Sequence, residues 1–379
     1  MTFTFREVIW LLFLFASAIQ LFYYLFYFSR LAFYRKNAAP VEPVFVPISV
    51  VICARNEERN LKQNLPVILQ QRYSGDGQVP GYEVIVVNDN SEDDTRHYLY
   101  SIAPGYPHFR QIELKQEAKG IPGKKYPLSI GLKGAAYEFV LLTDADCRPA
   151  STDWVQIMAR GFGEGKDIVL GYGPYLKMPG LLNRMIRFET FFSAMQYLSF
   201  ALAGAPYMGV GRNLSYRKEL FFRHKGFIAH QHIASGDDDL FINAAARGSN
   251  TSVMVDKQAF TYSEPKTTWK AWLRQKTRHL TTGKYYRSSH KLMLGGFLFS
   301  QLIFYPLFIL ALYYLPDTWL IWSVFAARTL VLGIIDLLIM RKLDEMDLFP
   351  FFWLLDVLIW VYFLLVMPAS LFSRKSRWK

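Results

Sequence analysis

The sequence predicts an α/β fold, with a mostly parallel sheet flanked by transmembrane helices, and three observations carry that prediction. Long apolar runs lie only near the two ends of the 379-residue chain. Between them, short runs too apolar to have a wet face alternate with a segment of helical periodicity. The polar residues of that central region gather at the carboxyl ends of the short runs.

The first long run, Val8 to Phe28, has roughly the 20 residues a helix needs to cross a bilayer. A cleaved signal peptide is shorter and carries positive charge ahead of its apolar stretch. Here Arg6 is offset by Glu7, while Arg30, Arg35 and Lys36 follow the run, which favours an uncleaved anchor with its carboxyl end in the cytoplasm. Three further runs, Leu294–Leu315, Trp319–Met340 and Phe349–Phe372, form the second membrane region. The expected order is therefore an anchor (1–36), a cytoplasmic catalytic domain (37–264), amphipathic interfacial helices (265–293) and a C-terminal region of two or three transmembrane helices (294–379). The expected location is the cell (inner or plasma) membrane, as a multi-pass protein. Residues 315–318 would make a short outer turn. A fourth crossing would leave the tail SRKSRWK outside, against the positive-inside tendency, so the last run is either re-entrant or an exception. Asp336 and Asp356 lie within runs where an ionised carboxylate costs a few kcal/mol, and both are expected to face other helices.

The net charge of +12 has a local source, because residues 266–291 hold eight Lys or Arg and no acid. Trp269, Trp272 and Leu273 follow helical spacing there, giving a basic helix with a Trp face beside a membrane run. That combination suits an anionic leaflet, so membrane and not nucleic acid is the expected partner of these charges. Leu181–Ala205 is apolar but interrupted by Asn183, Arg184, Arg187 and Glu189, and is expected to lie along the interface. Cys53 and Cys147 are the only cysteines, and a reducing compartment makes them free, small and inert.

In the central region Ile48–Cys53, Tyr82–Val87, Phe139–Leu142 and Ile168–Gly171 are the predicted strands. Asn60–Gln71 is a helix with Leu61, Leu65, Ile68 and Leu69 on one face. The first three strands end in Ala54-Arg55-Asn56-Glu57-Glu58, Asn88-Asp89-Asn90-Ser91 and Thr143-Asp144-Ala145-Asp146. One such end is an ordinary turn. Three in succession argue for a site, because open parallel sheets bind ligands beyond the carboxyl ends of their strands. No G-x-G-x-x-G follows the first strand and no G-x-x-x-x-G-K-[ST] occurs, which disfavours a dinucleotide fold and a P-loop. Asp144 and Asp146 suit a hard cation, Mg2+ or Mn2+, which completes its shell with substrate phosphates. The expected ligand is a diphosphate.

From about Ile48 to His279 the chain resembles the family 2 glycosyltransferases, inverting enzymes with a GT-A fold, through motifs that occur in the family's order. VVICARNEE is similar to the first strand and nucleotide loop, which implies roles for Ala54, Asn56 and Glu57. VIVVNDNSEDDT is similar to V-D-D-x-S-x-D-x-T and puts Asp89 on the base side. GKKYPLSIG resembles G-K-x-x-A-L-N-x-G, with Lys124 as the lysine. LLTDADC resembles the D-x-D strand end, with Asp144 facing the nucleotide sugar and Asp146 the metal. SGDDDLFINAAARG resembles the E-D-x-x-L stretch, and counting back from Gly248 and Leu240 puts Asp237 in the place of the catalytic base, with Asp238 as the nearest alternative. GVGRNLSYRK resembles a loop whose Asn, here Asn213, lies by the acceptor. Gln275-Lys-Thr-Arg278-His279 resembles Q-x-x-R-W with His in place of Trp. The resemblance implies a nucleotide-diphosphate sugar as donor, and the small number of membrane runs together with the His279 departure point to a lipid or lipid-linked acceptor at the cytoplasmic face. The His279 departure and the few membrane runs favour one sugar transfer over a processive polysaccharide synthase. A membrane-bound nucleotidyltransferase is a poorer reading, since ARNEER lacks the Gly of its basic loop, and intact aspartates argue against a non-catalytic scaffold.

Overall fold

The computed structural model describes residues 3–35, 45–73, 81–116, 121–163, 165–233, 235–315 and 318–371. β1 (Ile48–Ala54), β2 (Tyr82–Asp89) and β3 (Phe109–Leu114) are parallel neighbours, and β4 (Phe139–Leu142) lies parallel on the other side of β1. β5 (Cys147–Pro149) leaves this sheet and pairs antiparallel with β9 (Thr261–Ser263). β6 (Ile168–Leu170), β7 (Leu214–Arg217) and β8 (Thr251–Val253) complete seven strands in the order β3-β2-β1-β4-β7-β6-β8. β7 runs antiparallel to both of its neighbours, and the other pairs are parallel. All four predicted strands are present.

The sheet is buried on both faces, and alternation sorts its side chains. Val50 and Ile52 pack with Val84, Val86 and Leu141 under the Glu58–Leu69 and Trp154–Ala159 helices. Val51, Ile85 and Val87 point the other way, into a core that takes in the 181–202 helix and continues to Tyr24, Phe28, Leu332 and Leu355 of the apolar helices. One face of the sheet therefore shares its core with the membrane helices.

That continuity corrects the expectation for the 181–202 segment. It is a helix, Leu181–Leu202, but it is buried nearly all round instead of presenting one wet face. A helix apolar on every side belongs in a core, and its charges are paired there. Arg187 Nε donates to Glu345 Oε2 at 2.9 Å and Nη1 to Asp347 Oδ2 at 2.7 Å, while Glu189 is ion-paired with Lys276. Tyr172 Oη also donates to Glu345, at 3.1 Å.

Among the described residues, four helices are long and apolar enough to cross a membrane: Phe5–Ala32, Ser288–Tyr314, Thr318–Leu343 and Met346–Pro368. Glu7 has a local task, because it closes a capping box with Thr4 at the start of the first helix. The second helix begins at Ser288, ahead of the predicted Leu294. The last run is helical and of spanning length; the basic tail, Lys36, and Pro316–Asp317 of the predicted turn lie outside the described residues. Asp336 and Asp356 face other helices as expected. Arg328 Nη1 donates to Asp356 at 2.8 Å, Arg328 Nε to Gln20 at 2.7 Å, Tyr305 Oη to Asp356 at 2.6 Å and Tyr24 Oη to Asp336 at 3.4 Å. In the basic segment, the Trp269–Leu280 helix divides its Trp face. Trp272 is buried and stacked on Tyr362 of the last helix, and Trp269 stays exposed.

Candidate active site

The first two strand ends are locked to each other before they meet any ligand. Asn56 follows β1 with φ 54°, a left-handed conformation that Asn tolerates better than most residues. Its N–H donates to Ser91 Oγ at 2.9 Å, and its Oδ1 accepts from Glu92 N–H at 2.8 Å. Glu57 N–H donates to Thr95 Oγ1 at 3.0 Å. At the end of β4, Asn64 Nδ2 holds the Ala145 carbonyl at 3.1 Å, between the two aspartates.

Two adjacent lysines at the start of the Lys125–Gly134 helix divide the work. Lys124 Nζ donates to Asp144 Oδ1 at 2.8 Å and pairs with Asp237 Oδ2 at 3.2 Å. Lys125 Nζ turns to the backbone carbonyls of Ile233 and Ser235, fixing the strand of chain that leads into Asp237. Residues more than ninety positions apart are thus joined by one ammonium group.

The three consecutive aspartates have different partners. Asp238 caps the Asp239–Ala245 helix through Asp239 N–H at 2.8 Å, and its other oxygen accepts from Gly211 N–H at 2.7 Å. Asp239 is buried and accepts from Leu240 N–H, Thr282 Oγ1 and Tyr286 Oη. Asp237 makes its ion pair with Lys124 and borders the cavity.

The electrostatics favour a cation. Burial works against the Lys124 charge, yet Asp144, Asp237 and Asp238 together hold it well above the ordinary lysine value. Asp144 is resisted by burial but held below its usual value by Lys124, Arg212 and Arg278. Asp146 is pushed up, first by burial and then by the Asp144 charge. Burial, then Asp237 and Asp239, push Asp238 to about 7. Oxygens of Asp144 and Asp146 and the sulfur of Cys147 lie within 4.8 Å of one another. Burial raises the Cys147 thiol well above its usual value, so it stays protonated. A neutral thiol is a poor donor to a hard cation, whereas the two carboxylates fit Mg2+ or Mn2+.

A cavity of about 360 Å3 opens at these strand ends. Glu57, Lys124, Asp144, Asp146, Asp237, Asp238, Gln275 and Arg278 of the predicted residues line it. Ala54, Asn56 and Asp89 do not; Ala54 and Asp89 are buried, and Asn56 braces the loop as described. Asn213 is the clear correction. It is wholly buried, accepts from Trp154 Nε1 at 3.0 Å and donates to the Tyr172 and Ala259 carbonyls at 2.9 and 2.7 Å. Its hydrogen bonds tie the turn before β7 to the Trp154–Ala159 helix and to the chain at Tyr172 and Ala259. Gly171 makes room for it, since a Cβ there would lie 2.6 Å from the Asn213 amide. Its neighbour Arg212 is the residue that sequence reasoning missed: it lines the cavity, stacks over Tyr175 at 4.4 Å and donates to Ser263 Oγ at 2.6 Å. Its position beside Asn213 in GVGRNLSYRK was the available signal. Gly248, used above to number the aspartates, has a packing reason: a Cβ there would lie 2.7 Å from Gly204 Cα.

Comparison with known proteins agrees with this geometry. The sequence model described as "Glycosyl transferase family 2" matches residues 49–223, and that described as "Glycosyl transferase family group 2" matches residues 139–372. The chain is 26% identical over 247 residues to "Probable glycosyltransferase YdaM" of Bacillus subtilis, covering 63% of this chain and 55% of that protein. It is 29% identical over 119 residues to the "Poly-beta-1,6-N-acetyl-D-glucosamine synthase" of Staphylococcus epidermidis, covering 31% of this chain and 25% of that one. These matches span about half or less of the relatives' lengths. Among solved structures, the mannosyltransferase PcManGT from Pyrobaculum calidifontis, in complex with GDP-Man and Mn2+, superposes with a TM-score of 0.57 at 18% identity, covering 94% of this chain and 99% of that one. With a GT-A sheet, four helices of membrane-spanning length and a family match over more than half its residues, the chain belongs to the family 2 glycosyltransferases.

Proposed function

We propose that this glycosyltransferase moves a sugar, with inversion, from a nucleotide-diphosphate sugar to a lipid or lipid-linked acceptor at the cytoplasmic face of the cell membrane. The observation that carries the reading is the pairing of Asp144 and Asp237 across Lys124 in one cavity, which the Glu189 and Tyr362 side chains of deeper helices also line. An acidic strand end and a second carboxylate, brought together from distant sequence, are what the two sides of such a transfer require.

Asp144 and Asp146 would hold Mg2+ or Mn2+, which supplies charge neutralisation of the diphosphate. That PcManGT was solved with GDP-Man and Mn2+ supports the choice of ligands. Glu57, Lys124, Asp144 and Arg278 face the donor, Gln275 stands between donor and acceptor, and Ala54, Asn56 and Asp89 act by shaping the strand ends. Asp237 takes the proton from the acceptor hydroxyl as its oxygen bonds to the anomeric carbon. The carbon–oxygen bond to the diphosphate breaks on the opposite side, and the nucleoside diphosphate leaves with that electron pair. Asp238 is the poorer base because both of its oxygens already accept backbone N–H groups.

A panel of sugar nucleotides, assayed for nucleoside diphosphate release with membrane lipid extract, tests the reading. One productive donor with label in a lipid is expected; no consumption of any donor would overturn it. The similarity to a poly-N-acetylglucosamine synthase favours processive synthesis as the second reading. Product length separates the two, with single addition expected and long polymer supporting the second.

A further inference from the structure

The cavity has a second wall, built by helices instead of strand ends. The Leu181–Leu202 helix contributes Glu189, Thr190 and Ser193, the Trp269–Leu280 helix contributes Gln275 and Lys276, and Tyr362 comes from the last apolar helix. Glu189 and Lys276 are 7% and 8% exposed and ion-paired, so the lysine charge is neutralised inside the wall. Ser193 Oγ donates to Glu189 Oε1 at 3.3 Å. Glu189 Oε2 is taken up by the Lys276 ammonium, whereas Gln275 Oε1 is buried with no hydrogen-bond partner. A buried acceptor without a donor is costly, by about 1–3 kcal/mol, and calls for a ligand that supplies a hydrogen. An anionic phosphate supplies none, and Glu189 has already neutralised the Lys276 charge that would attract it. A hydroxyl group satisfies Gln275 Oε1. Arg212, Arg278 and Lys124 all act on Asp144, and Lys124 is also paired with Asp237.

We propose that this wall binds the acceptor through its hydroxyl groups, and that the acceptor head is an uncharged polyhydroxy group, a sugar already carried on a lipid, in place of a bare lipid phosphate. Glu189 is the residue that sets this preference. Tyr362, on a helix of membrane-spanning length, makes the lipid-borne source the expected one over a free oligosaccharide. The inference rests on the lipid-directed transfer proposed above.

The test uses the full chain in lipid vesicles with its productive sugar nucleotide and three probes: a monoglycosyl diacylglycerol, a polyprenyl monophosphate and a soluble oligosaccharide. The glycosyl diacylglycerol is expected to be labelled at least about tenfold faster than the others, as one hydrogen bond to a buried acceptor implies. Glu189→Gln is expected to raise the acceptor KM about tenfold to a hundredfold, leave the donor KM in place, and move preference toward the polyprenyl monophosphate, since Lys276 is then unneutralised. Should Glu189→Gln fail to fold, Ser193→Ala removes one hydroxyl from the same carboxylate and gives a smaller rise in acceptor KM alone. Preference of the unaltered protein for the polyprenyl monophosphate, or an acceptor KM indifferent to these substitutions, overturns the inference while leaving glycosyl transfer standing. Preference for the soluble oligosaccharide overturns the lipid source. No donor consumed with any probe overturns the function on which the inference rests.

Discussion

The strand-end cavity and the cluster around Arg328 both bury charge, and they do so with opposite bookkeeping. Among the membrane helices, Arg328 and Asp356 are 1% and 6% exposed and matched one to one. Gln20 and Tyr305 take up further hydrogen bonds, and Phe304 lies under the guanidinium at 4.4 Å. At the cavity, Asp144 and Asp237 share the one ammonium of Lys124, and Asp146 and Asp238 stand beside them. An enclosed pair out of reach of a ligand holds helices in register. An acidic excess that opens on a cavity attracts a cation and can accept a proton. Composition does not tell these apart; stoichiometry and access do.

Substitutions at the two places should therefore fail in different ways. Asp237→Asn is expected to lower kcat by about 10²–10⁴-fold, the usual worth of a positioned general base, with nucleotide-sugar binding retained. Asp146→Asn is expected to lose metal-dependent binding as well. Calorimetric titration of the donor, with and without Mn2+, separates the two, and full turnover by the Asp237→Asn protein would remove that residue from the mechanism. Arg328→Met leaves Asp356 buried and unpaired, at an expected cost of about 3–5 kcal/mol in stability. The double substitution Arg328→Met, Asp356→Leu should recover most of that loss. Denaturation in detergent measures it; additive losses would show that the pair is not a unit.

A smaller effect is expected at Arg212, on the cavity side of the comparison. Arg212→Lys keeps the charge but loses the planar stack on Tyr175 and the geometry of the Ser263 bond. We expect donor KM to rise by about tenfold, the equivalent of one neutral hydrogen bond, with thermal stability nearly unchanged. A stability loss without a change in donor KM would make Arg212 part of the scaffold.

The sequence was most informative where chemistry and local pattern coincide. The strands were legible because runs such as Ile48–Cys53 are too apolar for anything but a doubly covered sheet, and the aspartates because three strand ends in succession carry polar residues. Two things were not legible. The first is which way a side chain points inside a short polar loop: Arg212 and Asn213 are adjacent, yet one enters the cavity and the other is buried against the Tyr172 and Ala259 carbonyls. The second is tertiary pairing of charge. Arg187 and Glu189 argued for a wet interface at 181–202, because nothing in the local sequence announces Glu345, Asp347 and Lys276 as their partners.

The Arg187–Glu345 pairing yields a pH prediction. Burial pushes the Glu345 carboxyl up to about 7, against the pull of Arg187 and the hydrogen bonds from Arg187 and Tyr172. Its value in the unfolded chain is that of an ordinary glutamate, about 4.3. Between these values the folded protein binds more protons than the unfolded chain, so this group's contribution to stability falls as pH rises from about 4.3 to about 7 and is level above that. Glu345→Gln removes the titrating group while retaining an acceptor for Arg187 and Tyr172. The difference in Tm between the two proteins should therefore move in favour of the Gln form as pH is raised across that window, and stop moving above it. Glu345 joins the 181–202 helix, through Arg187, to the turn that follows the Thr318–Leu343 helix. A flat difference would mean that this carboxylate stays ionised throughout, with Arg187 outweighing its burial, and that the joint between the catalytic core and the membrane helices is a plain salt bridge.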